Sequence, residues 1–145
     1  MTNKFKKILV GIVASAIYVT GSMNAISASA STYEEFTVSH VNYYGAPSSE
    51  STTATRTIGH RSAGATATVS SCHNTDGSGA TGKTYFDCVT YPDMSRKTIS
   101  NLGTATLNPS IGNPSTDVDI TYYISAYTSK SSNTYWSSGS IAKKS

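Results

Sequence analysis

Leucine is scarce throughout, with one, Leu9, in the first thirty residues. Only Leu102 and Leu107 follow, and Leu, Ile, Val and Phe together fill 15 of the 115 positions after Ala30. Cysteine is limited to Cys72 and Cys88, tryptophan to Trp136, and charged residues to 13% of the chain. No apolar pattern with a period near 3.6 is sustained anywhere, which excludes a helical bundle. A length of 145 residues leaves no room for a multidomain enzyme. No G-x-S-x-G elbow is present, and no acid, base and nucleophile set stands out around His40, His60 and His73. An enzyme is therefore not expected, and no cofactor or metal site is assigned.

What is abundant is hydroxyl. Ser and Thr make up 40 of the 115 residues after Ala30. Such a composition usually signals disorder, because too little apolar surface is buried to offset chain entropy. Here the net charge is near zero and tyrosine is plentiful. Thr, Tyr, Val and Ile suit a pleated, half-buried strand, so the reading is an all-β domain with a thin core.

The N-terminus has a different chemistry. Lys4, Lys6 and Lys7 precede the apolar run Ile8–Val19, and Ala28-Ser29-Ala30 follows it. This is the three-part pattern of a secretory signal peptide, with cleavage expected after Ala30. The twelve residues of the run would rise about 18 Å as a helix, short of a hydrocarbon core of about 30 Å. Residues 1–30 are thus read as a leader and residues 31–145 as a single mature domain with no membrane span, released to the extracellular medium. Without the leader, eight basic residues face eight acidic ones. That balance argues against nucleic acid as a partner, since phosphate binding needs an excess of Lys and Arg.

Strand signals run through the mature part. Asp117–Thr128, DVDITYYISAYT, places Val118, Ile120, Tyr122, Ile124 and Ala126 on one face and Asp119, Thr121, Tyr123, Ser125 and Tyr127 on the other. Ala63–Ser71 alternates with Ala65, Ala67 and Val69 on one side. Between Tyr33 and Tyr44 the parity changes near Ser39-His40, which predicts a bulge or two short strands. Further strands are read over 52–58, 83–91, 103–107 and 134–141, separated by Gly, Pro, Asn and Asp turn signals. About seven short strands predict a small antiparallel β-sandwich of Greek-key type. Gly64-ATATVSS and Gly103-TATLNPS echo each other as similar strand entries.

An exported chain with two cysteines predicts a Cys72–Cys88 disulfide. The segments flanking the turn-rich HNTDGSGATG read as a hairpin with the cysteines opposite each other, Ser70 facing Thr90. Closing that loop would contribute about 3 kcal/mol. Asp117 and Asp119 share a strand face, but their spacing matches no calcium loop. The candidate ligand-binding residues are aromatic: Tyr123 and Tyr127 on the polar face of the best strand, and Tyr135 and Trp136 near the C-terminus. Flat amphipathic rings stack on sugars or bury against proteins.

The alanine-threonine strand ATATV and the closing strand with paired tyrosines, DITYYI, behind a secretory leader, resemble lactococcin-972-type bacteriocins. Those are small Sec-exported β-sandwich peptides, so the resemblance implies an antimicrobial role. The cysteine pair, the greater length and the lysine-containing tail depart from that pattern. The expectation is a secreted, non-enzymatic bacterial protein that binds a cell-wall, glycan or protein partner. The alternative is a bacteriocin-like antimicrobial protein.

Overall fold

The computed structural model of the chain describes residues 30–44, 51–77 and 81–145. The leader assignment lies outside them, apart from Ala30. Among the described residues no helix is long and apolar enough to cross a membrane.

Among the described residues eight strands form: β1 (Tyr33–Asn42), β2 (Ala54–His60), β3 (Ala65–Asn74), β4 (Lys83–Cys88), β5 (Lys97–Ser100), β6 (Gly103–Leu107), β7 (Val118–Tyr127) and β8 (Asn133–Lys143). They build two four-stranded antiparallel sheets, β1-β8-β3-β6 and β2-β7-β4-β5. The pairs β1·β8, β2·β7, β3·β6 and β4·β5 nest inside one another, as if a long hairpin with β4 and β5 at its bend had been rolled up. That order is a double-sheet jelly roll, a Greek-key form of the expected sandwich.

The period-two pattern explains which side chains fill the interior. In β7, Ile120, Tyr122 and Ile124 are fully buried while Tyr123 and Tyr127 are exposed, as the alternation predicts. Phe36 of β1 and Phe86 of β4 meet edge to face across the two sheets at 5.5 Å. With so few aliphatics, the core also uses small hydroxyls. Thr84 of β4 and Ser137 of β8 bond each other at 2.6 Å, buried between the sheets. The echoing segments turn out to be direct neighbours, with Ala67 of β3 paired to Ala105 of β6.

Three expectations are corrected. The strand β5 was not foreseen. Its four residues give only Ile99 to the core, too short a run to show a period. The bulge expected at Ser39-His40 is absent, since β1 pairs with β8 in one continuous register. Ser39 is buried there because Thr52 bridges to it through two backbone hydrogen bonds and a hydroxyl contact. The irregularity lies instead in β3, between Val69 and Ser71, and it returns Cys72 and Asn74 to the inward face.

The third correction is the disulfide. Cys72 and Cys88 are unbonded, and β3 and β4 do not form a hairpin: β3 pairs with β6 and β8, and β4 with β5 and β7. Cys72 pairs with Ser137, which touches Thr84, and Cys88 lies four residues further along β4. Four residues of strand span about 13 Å, whereas a disulfide needs Cα atoms within about 7 Å. Burial pushes the Cys88 thiol pKa up, which suppresses the reactive thiolate. Titration of the denatured protein without reductant should therefore find two thiols per chain. Finding none would restore the disulfide.

Candidate functional site

The outer face of the β2-β7-β4-β5 sheet carries the exposed aromatics. On β7, side chains of residues 123, 125 and 127 point outward, and the register sets beside them residues 87, 85 and 83 of β4. Across the next gap Tyr85 faces Thr98 and Lys83 faces Ser100 of β5. The result is three rungs with Tyr85 at the centre and Tyr123 and Tyr127 on its diagonals. The Tyr85 and Tyr127 rings lie 6.4 Å apart.

Arg96, just before β5, folds over this centre. Its guanidinium carbon sits 4.9 Å above the Tyr85 ring. Asp87 holds it from the side, accepting hydrogen bonds from Nε at 2.8 Å and from Nη2 at 2.9 Å. The Asp87 bond raises the arginine pKa further. At the far end the platform opens into a recess of about 490 Å³ whose lining includes Lys83, Asn101, Tyr127 and Thr128. There the Thr128 backbone N–H donates to Nδ1 of His40, whose ring packs 5.1 Å from that of Tyr127. Burial lowers the His40 pKa, which favours the neutral ring that can accept this bond.

Of the four aromatic candidates, the fold brings together only Tyr123 and Tyr127. Trp136 lies on the outer face of the other sheet, stacked on His73 at 6.4 Å. Tyr135 is fully buried, because β8 turns it inward together with Ser137 and Ile141, and it is capped by the backbone of Gly82. Tyr85 and Arg96 were missed. Alternation in KTYFDC does place Tyr85 in phase with Asp87, but nothing local announces that β4 lies beside β7.

In comparisons with known proteins, no family model, no curated protein and no solved structure matches the chain. The resemblance to lactococcin-972-type bacteriocins therefore rests on the quoted residues alone.

His60, Asp117 and Asp119 are engaged in the fold. His60 is buried, with Nδ1 donating to the Arg61 carbonyl at 2.8 Å and Nε2 accepting from the Tyr122 hydroxyl at 2.6 Å. Asp117 accepts from Lys143 and Arg61, which lower its pKa in that order. Asp119 instead accepts the Ala30 N–H. Among the described residues no three His, Cys, Asp or Glu side chains converge where a metal ion could sit. A second groove of about 500 Å³, lined by Tyr33, Glu35, Arg56 and the hydroxyls of Ser138 and Ser140, lies across β1 and β8.

Proposed function

We propose that the protein is a secreted, non-enzymatic bacterial module that binds cell-surface glycan through the outer face of its β2-β7-β4-β5 sheet. The observation that carries this reading is the grouping of Tyr123, Tyr127 and Tyr85 on one outer sheet face, beside a recess whose lining includes Lys83, Asn101 and Thr128. Exposed tyrosines on a rigid sheet offer flat apolar area at small entropic cost, and their hydroxyls keep the surface wet. Sugar rings present the complementary surface, apolar on the face and polar at the rim. Double-sheet jelly rolls also serve in lectin domains, which is an analogy of fold only.

The test is sedimentation of the purified protein with intact bacterial cells and isolated cell wall, followed by plating. Binding with unchanged viability is expected. Tyr123→Ala together with Tyr127→Ala should weaken binding by about tenfold or more, equivalent to about 1.4 kcal/mol. Tyr123 is 38% and Tyr127 42% exposed, and Tyr127 also packs on His40, so a modest fall in melting temperature is expected and binding is compared well below it. Equal binding by the double variant would remove the platform from consideration. Killing of the cells would instead support the bacteriocin-like reading.

A further inference from the structure

The platform is more than aromatic. It contains a guanidinium that is fixed in place and left partly unused. Asp87 engages the edge formed by Nε and Nη2, and the Tyr85 ring closes one face. The Nη1 group has no hydrogen-bond partner among the described residues, and the arginine side chain is 55% exposed. An arginine normally loses rotamer freedom when it grips a ligand. Here that ordering is already imposed by the fold, so the free end of the fork is prepared for a bidentate acceptor.

Charge on this face points the same way. Asp87 balances Arg96, and Lys83, two rungs along β4, has no carboxylate within ion-pair distance among the described residues. The other carboxylate of the face, Asp119, lies four residues along β7 from Tyr123, about 13 Å beyond the aromatic rungs. The ligand-facing part of the platform therefore carries a net positive charge, with Arg96 over Tyr85 and Lys83 two residues, about 7 Å, along β4.

We infer that this face binds an anionic glycan, its sugars stacking on Tyr123 and Tyr127 while Arg96 grips a carboxylate or phosphate group and Lys83 meets a second one. The inference rests on the glycan-binding reading above and narrows it. A neutral hydroxyl would use one donor of the free fork, whereas a carboxylate or phosphate takes two and adds charge assistance.

Calorimetric titration of the purified protein tests this with three probes: a neutral cello-oligosaccharide, a uronic-acid oligosaccharide of similar length and a phosphodiester-linked wall teichoic acid. At least one anionic probe should bind about tenfold more tightly than the neutral one, with the difference shrinking as salt is added. Preference for one anionic probe identifies carboxylate or phosphate as the recognised group. Arg96→Gln should abolish the preference while leaving the tyrosine-dependent part intact. Arg96→Lys, which keeps the charge but not the fork, should restore it only in part. Lys83→Gln should reduce it less than Arg96→Gln does. Equal affinity for neutral and anionic probes, lost in the double tyrosine variant, would overturn the charge inference and leave the platform standing. Binding of none of the three would overturn both. A preference that survives Arg96→Gln at unchanged melting temperature would also overturn the inference.

Discussion

Replacing Gly139 by alanine is expected to lower the unfolding free energy by about 3 kcal/mol, a large share of the 5 to 15 kcal/mol typical of a domain. Gly139 is in the middle of β8, paired with Phe36 on one side and Val69 on the other. A Cβ there would fall 1.8 Å from the Thr68 carbonyl oxygen and 3.0 Å from the Val69 Cα. Both are backbone atoms of β3, so no side chain can swing away. The β3·β8 ladder would have to part at the centre of its sheet, next to the bulge between Val69 and Ser71. A loss of this size corresponds to a fall of roughly 10 to 20 °C in Tm. Ser140→Ala, one residue along and on the outer face, serves as the control and should change stability by less than about 0.5 kcal/mol. A Gly139→Ala protein that melts within a few degrees of the parent would show that β3 yields more easily than the geometry implies.

The same Tyr→Phe change should have opposite effects at the two buried tyrosines. The Tyr122 hydroxyl donates to Nε2 of the buried His60. Tyr122→Phe strands that nitrogen without a partner, at a cost of about 1 to 3 kcal/mol. The Tyr135 hydroxyl has no hydrogen-bond partner among the described residues, since the nearby hydroxyls of Thr84 and Ser137 bond each other. Tyr135→Phe removes a buried polar atom without breaking a bond, so it should be neutral or stabilising by up to about 1 kcal/mol. Denaturant titration of both variants decides the matter. Equal losses would mean that Tyr135 is satisfied after all.

These two residues also predict alkaline unfolding. Burial raises the pKa of both phenols, that of Tyr135 to about 12 and that of Tyr122 further. The unfolded chain ionises its phenols from about pH 10, while the fold keeps these two neutral. Their contribution is therefore complete below about pH 10 and drains away as pH rises towards 12. Phenolate absorbance should show the exposed tyrosines titrating first, and then a late, cooperative step that coincides with loss of the sheet signal by circular dichroism. In Tyr135→Phe that step should move to higher pH.

Much of this protein could be read directly from its residues. The alternation in DVDITYYISAYT assigned every side chain of β7 to the correct face, because side-chain direction in a strand is a local property with a period of two. Composition alone indicated a β domain with a thin core. Local pattern does not say which strand lies beside which. The hairpin assumed between Cys72 and Cys88 failed for this reason: the nested order sends β3 and β4 to different sheets, and the cysteines end up too far apart to join. Tyr135 and Trp136 are adjacent in sequence, yet one is in the core and the other on an outer face, a choice made by the register of β8 against β1 and β3. Arg96 became a site residue only once β5 was laid beside β4 and β4 beside β7. Sequence determined which side chains of a strand share a face, through the pleat; tertiary structure decided which face is buried and which strands are neighbours, because pairing depends on long-range burial summed over the whole rolled hairpin.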